Sequence, residues 1–213
     1  MPLTFKTNLT TVNFVKGRKA VVQYLVIHYT ANDGDTDEGN GKYFNNYYRG
    51  ASAHRFVDED SITMVVKDED TAWHCNDNQK YLNGGGTYKK LCNNENSIGI
   101  EMCSDKVNGD YVITKETIKN TQELVRLLMV KHNIPIENVI RHYDVSGKIC
   151  PEPFVAHPEQ WVQFKKEITM ISAKEKEIIQ KMCGFGNPDD VWKLLDAHPY
   201  AANLYAKWAA SYK

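Results

Sequence analysis

The chain has 213 residues, 42% hydrophobic and 25% charged, a globular composition that excludes a disordered or fibrous protein. Twenty-six Lys and Arg against 27 Asp and Glu leave a net charge of -1, so the basic balance of a duplex-binding protein is missing and no nucleic-acid partner is expected. No stretch reaches the ~18 consecutive apolar residues of a membrane span, so no membrane insertion is expected.

The first six residues, MPLTFK, lack the basic-then-apolar layout of a secretory signal, which predicts synthesis in the cytoplasm without a signal peptide. Residues 21–29 (VVQYLVIHY) form a β-branched and aromatic run typical of a buried strand. Residues 32–41 are polar and punctuated by glycine, and read as loop. Tyr43, Phe44, Tyr47 and Tyr48 then recur at helical spacing, so a short helix with an aromatic, mainly core-facing side is expected. Residues 53–57 and 62–66 read as two short strands, and 76–96 as a long loop of the kind that is often functional. Residues 97–102 (SIGIEM) return to strand character, and Asn108-Gly109 resembles a turn before Tyr111-Val112-Ile113. Thr114 can cap a helix with Ile118, Val125, Leu128 and Met129 on one face, ending near Asn133 before Pro135. Val139-Ile140 begins another short strand, and Pro158 starts a helix whose inward stripe is Trp161, Phe164 and Ile168.

Interleaved strands and helices predict an α/β domain over residues 1–171, a central mixed β-sheet flanked by helices. From residue 172 the character changes. Ser172-Ala173-Lys174-Glu175 is a capping box, and three short helical patterns follow before the end of the sequence. Residues 172–213 are therefore expected to form a short all-helical C-terminal appendage. It would pack on the body, bind a polymer, or allow a homodimer through its helices.

The chemistry concentrates in residues 142–151, HYDVSGKICP. His142 and Cys150 are eight positions apart, with Gly147 between them, so a loop can fold back and bring imidazole and thiolate together. Both are good zinc ligands, and His28 lies near the end of the strongest strand, where side chains reach into the clefts of α/β sheets. Three protein ligands and one open position describe a catalytic zinc site. Spacing alone leaves ordinary core or surface histidines as the more frequent alternative. The five cysteines are odd in number and contain no CxxC pair, so a disulfide framework is not expected.

Five segments occur in an order that carries a resemblance: LVIHYTA (25–31), SAHRFVDED (52–60), DTAWHC (70–75), NSIGIEMC (96–103) and HYDVSGKICPEPF (142–154). Together they resemble the zinc-dependent N-acetylmuramoyl-L-alanine amidases of the type 2 family, which includes phage lysins and is related to peptidoglycan recognition proteins. The resemblance covers roughly residues 20–168 and implies that His28, His142 and Cys150 hold Zn2+. It implies that Glu101 is the general base, that Lys148 is a lysine needed for activity in some phage members, and that His74 of the AWH segment contacts substrate. Some members place a catalytic tyrosine just before the histidine of the third strand; here Ala53 precedes His54, which moves the base role onto Glu101.

The implied partner is bacterial peptidoglycan, and the implied setting a phage or prophage lysin acting on the cell wall after release through holin lesions. The alternatives are an intracellular amidase recycling muropeptides and a non-catalytic wall-binding module. Among the remaining residues, His54 and Asp144 are expected to be structural, with Asp144 holding the His142 loop or a proton on a ligand, and Trp73 to pack in the core. His132, His157 and His198 are expected to be solvated at helix ends. Cys75, Cys92, Cys103 and Cys183 are expected to be reduced thiols.

Overall fold

The computed structural model describes residues 4–76, 81 and 83–169. The helical appendage expected over 172–213, with His198, Cys183 and any dimer contact, lies outside the described residues.

In chain order the strands are β1 (Thr4–Thr7), β2 (Phe14–Val15), β3 (Tyr24–Tyr29), β4 (Arg55–Val57), β5 (Ser61–Met64), β6 (Thr71–Ala72), β7 (Ser97–Met102), β8 (Asp105–Val107), β9 (Asp110–Val112) and β10 (Val139–Arg141). The helices are α1 (Asp37–Asn46), α2 (Lys115–His132), α3 (His142–Ser146), α4 (Glu152–Ala156) and α5 (Pro158–Thr169). Six strands pair in the order β1-β5-β4-β7-β3-β10. Only the β4–β5 pair is antiparallel; the other four are parallel. The sheet is therefore mixed, as the sequence predicts.

Alternation along the central strands separates packing from chemistry. Leu25 and Ile27 of β3, Ile98, Ile100 and Met102 of β7, and Val139 of β10 are fully buried in one cluster. Leu124, Val125 and Leu128 of α2 close over them, joined by Phe154 of α4 and by Trp161, Phe164 and Ile168 of α5. Trp161 and Phe164 stack with ring centroids 5.3 Å apart, so the stripe expected on α5 is the one that seals this face. The intervening residues, Val26 and His28 on β3 with Gly99 and Glu101 on β7, lie side by side in register on the opposite face.

The long helix α2 begins and ends where capping chemistry says it should. Thr114 Oγ1 accepts from the Thr117 N–H at 3.2 Å. Asn133 ends the helix in the left-handed conformation, φ 52°, two residues before Pro135. The turn at Asn108-Gly109 has positive φ at both residues, 54° and 95°, and joins β8 to β9 as a tight hairpin.

Two expectations need correction. The helix ahead of the aromatic cluster starts inside the stretch read as loop: Thr36 Oγ1 accepts from Gly39 N–H and α1 runs on from Asp37. Its buried residues are Asp37, Asn40 and Gly41. Of the aromatics, Phe44 packs, stacked on Phe56 at 5.3 Å, whereas Tyr43, Tyr47 and Tyr48 are 50%, 68% and 73% exposed. Nor is His132 simply solvated. Its Nε2 lies 3.0 Å from Asp68 Oδ2, and that buried carboxylate also pairs with Arg55 and Lys131.

Candidate active site

The site lies at the C-terminal ends of β3, β7 and β10, on the face that the large helices leave uncovered. β10 pairs with β3 up to Arg141↔Ile27, so the next residue, His142, comes alongside His28. Their ring centroids are 4.6 Å apart. Arg141 and Asp144 clamp the start of α3: Asp144 Oδ2 accepts from the Arg141 backbone N–H at 2.8 Å and Oδ1 from its guanidinium at 2.8 Å. This is the loop-holding role expected for Asp144.

Gly147 then ends α3 with φ 82°, its N–H bonded to Tyr143 O at 2.8 Å. A Cβ there would lie 2.6 Å from the carbonyl oxygen of Tyr81, so both the turn and the close approach require glycine. The chain doubles back, the Cys150 carbonyl accepts from Tyr143 N–H at 2.9 Å, and the thiol enters the site.

His28, His142 and Cys150 are 2%, 2% and 4% exposed. Their ligating atoms all lie within 4.8 Å of one another, and among the described residues this is the one group of His, Cys, Asp and Glu so arranged. Cys150 Sγ is 3.7 Å from His28 Nδ1, and Glu101 Oε1 lies 4.0 Å from the same nitrogen. Burial, reinforced by the neighbouring His142 and His74, holds the His28 pKa well below its ordinary value, so the imidazole is neutral.

Glu101 sits against this set with 20% of its side chain exposed. Its Oε2 is buried and has no hydrogen-bond partner among the described residues. Burial pushes its pKa up to about 8; the Lys148 ammonium opposes that rise and Asp35 adds to it. Lys148 is exposed beside the site, and its charge bears on both Glu101 and His28.

His74 is half-buried against His28, with its Nδ1 3.1 Å from His28 Nε2 and its own Nε2 3.1 Å from Ser97 Oγ. Both ring nitrogens of His74 are thus engaged within the protein. His54 is fully buried and accepts from the Gly99 N–H at 3.0 Å, in keeping with the structural role expected of it. Cys75, Cys92 and Cys103 are buried free thiols.

Sequence reasoning missed two features. Ser97 joins the histidine chain through a small hydroxyl that no motif marks. Asp35, from the stretch read as loop, lines a cleft of about 490 Å3 with Thr30, Asn40, Tyr43, Phe56 and Glu101.

Two buried imidazoles and a thiol, convergent and flanked by a carboxyl group with no partner among the described residues, match in type the donors that hold a zinc ion. The donors fit that ion in number and chemistry, and a cation beside Glu101 would answer its orphaned oxygen. A family model described as N-acetylmuramoyl-L-alanine amidase (Amidase_2) matches residues 17–153, and the chain belongs to that family. The N-acetylmuramoyl-L-alanine amidase BlyA of Bacillus subtilis (strain 168) is 35% identical over 153 residues, which cover 69% of this chain and 41% of BlyA. The chain thus spans about two-fifths of that relative's length. Among solved structures, the catalytic domain of XlyA is 28% identical, with a TM-score of 0.60, covering 78% of this chain and 99% of that one. A mutant endolysin from Bacillus subtilis matches similarly, with 28% identity and a TM-score of 0.59 over 78% of this chain and 99% of its own.

Proposed function

We propose that the chain is a zinc-dependent hydrolase of the amide bond between N-acetylmuramic acid and L-alanine in peptidoglycan, with residues 1–171 as its catalytic unit. The observation that carries the reading is the convergence of His28, His142 and Cys150 within 4.8 Å beside the unpartnered Oε2 of Glu101. We read the setting as a phage or prophage endolysin acting on the bacterial wall. The likeness to a solved Bacillus subtilis endolysin supports that setting.

His28, His142 and Cys150 would hold the ion. Zinc in such a site supplies Lewis acidity and brings the pKa of water to about 7. Glu101 takes a proton from the attacking water and passes it to the leaving L-alanine nitrogen. Burial raises its proton affinity, and a cation held by the three ligands beside it would favour the ionised form that accepts the proton. Lys148 faces the oxyanion that develops on the amide oxygen and offsets its charge.

The test is digestion of purified Gram-positive walls by the full chain, scoring new L-alanine amino termini against new reducing sugars. The expected result is new L-alanine termini that disappear with a chelator and in Glu101→Ala. Reducing ends would identify a glycosidase, and tight wall binding without cleavage a recognition protein. Cleavage of soluble muropeptides but not of walls would favour the recycling enzyme.

A further inference from the structure

Among the described residues, His74 is the one further imidazole touching the proposed metal ligands, and the mechanism leaves it unused. Its surroundings fix the direction of every proton along a chain that ends at His28. At the far end, Ser97 Oγ lies 2.5 Å from the carbonyl oxygen of Asn93. A carbonyl only accepts, so the Ser97 hydroxyl donates there and turns a lone pair toward His74 Nε2, 3.1 Å away. His74 therefore carries its proton on Nε2 and presents a bare Nδ1 to His28 Nε2 at 3.1 Å. His28 in turn must be protonated on Nε2, which leaves the Nδ1 lone pair directed at Cys150 Sγ, 3.7 Å away, and at the Glu101 carboxylate.

The ring of His74 is held as firmly as its protons. Asn94 Oδ1 accepts from the backbone N–H of both His74 and Cys75, at 3.0 and 2.9 Å. On the sheet, a Cβ at Gly99 would fall 2.6 Å from His74 Cγ and 2.7 Å from its Nδ1. The imidazole seats itself in the gap left by that missing side chain. Gly99 is opposite Val26 in the β3–β7 register, two residues before the His28↔Glu101 pair and on the same face. The glycine in SIGIE thus makes room for the histidine of AWH, and the two segments jointly orient a ligand on a third.

We propose that His74 is a positioning residue. Through the Asn93–Ser97–His74 chain it locks His28 in the Nε2–H tautomer and presents Nδ1 to the metal. The proposal rests on the zinc reading above, and it needs no change of charge on any of these groups. Outer hydrogen bonds of this kind typically contribute about 10- to 100-fold to metal affinity.

Two measurements test it on the full chain. In the metal-free wild-type protein, long-range proton–nitrogen spectra of the imidazoles read the tautomer directly. His28 is expected with its proton on Nε2, and an Nδ1–H tautomer overturns the proposal. Zinc affinity is then measured by competition with a chromophoric chelator, alongside the absorption spectrum of the cobalt-substituted protein. His74→Ala is expected to bind zinc about 10- to 100-fold more weakly with a shifted cobalt spectrum. His74→Gln, whose amide both accepts and donates, is expected to recover most of the loss. Gly99→Ala, which closes the gap under the ring, should reproduce the His74→Ala defect and serves where that variant does not fold. Wild-type affinity and spectrum in His74→Ala overturn the positioning role while leaving the zinc site standing. Failure of the wild-type chain itself to bind zinc overturns the zinc reading and this inference together.

Discussion

The two faces of the central sheet are built from alternate residues of the same strands, yet they obey opposite rules. On the helix-covered face, β3, β7 and β10 contribute aliphatic side chains that α2, α4 and α5 seal from water. On the other face the same strands offer His28 and Glu101, and the chain beyond β10 brings His142 and Cys150 to them, all but Glu101 deeply buried. Buried carboxyl groups show the contrast most clearly. Burial alone would raise the pKa of Asp68, but Arg55, Lys131 and His132 carry it well below the usual carboxylate range. Glu101 pairs with no lysine or arginine among the described residues and is pushed up to about 8. The first is a fully answered charge that stabilises the fold. The second has no such partner and burial favours its neutral form, a cost the fold bears where a group is to be kept reactive.

If the faces are independent in this way, substitutions on each should move only one property. The largest effects are expected on the reactive face. Cys150→Ser should abolish stoichiometric zinc binding, read by metal analysis of the purified protein, and with it wall cleavage. Glu101→Gln should keep the zinc and lower the cleavage rate by about 10^2- to 10^4-fold. Equal loss of zinc in both variants would show that Glu101 is a ligand rather than a base. On the sealed face, Phe164→Ala removes a ring that touches both Phe154 and Trp161. It should cost about 3–5 kcal/mol in denaturant unfolding, with zinc affinity within twofold of wild type.

What the sequence made legible follows the same division. Apolar alternation and capping reveal the sealed face: residues 97–102 read as a strand, Thr114 as a cap, and Trp161, Phe164 and Ile168 as a stripe, and each is found so. The convergence of His28, His142 and Cys150 was legible too, because His28 lies near the end of a strong strand, Gly147 permits the return from His142 to Cys150, and the ordered segments resemble an amidase family. The start of α1 was not. Its buried face carries Asp37, which accepts from the hydroxyls of Ser61 and Thr63 at 3.0 and 2.7 Å, more than twenty residues away. A polar helix face met by polar strand residues leaves no hydrophobic period to read. His132 and Asp68 are likewise matched across 64 residues of chain, and Ser97 acts through a hydroxyl that any strand can carry.

The Asp68 cluster offers a smaller and more discriminating test. Asp68→Asn leaves the buried Arg55 without its counter-charge and should cost about 2–3 kcal/mol at pH 7. The sign with pH follows from the lowered pKa. A carboxylate held below its unfolded value of ~3.9 stabilises the fold above that pH, and the stabilisation is lost as pH falls through the folded value. The gap between wild type and Asp68→Asn should therefore be flat from about pH 5 to 7 and shrink below about pH 4. A gap that widened on acidification would mean the cluster is not held by ionised Asp68.

The smallest effect is expected at the start of α2. Thr114→Ala removes the acceptor for the Thr117 N–H and the 2.9 Å bond from Thr114 Oγ1 to Thr117 Oγ1. Loss of such a cap costs about 1 kcal/mol and should lower the melting temperature by a few degrees. α2 packs on the sealed face through Leu124, Val125 and Leu128, so the weakening reaches β3 and β7 only through Leu25, Ile27, Ile98 and Ile100. Those residues point away from His28 and Glu101, and zinc affinity at 25 °C should stay as in wild type. A fall in zinc affinity that tracked the fall in melting temperature would break the comparison, because the ligands would then sense the packing behind them rather than only the strand ends and loop that carry them.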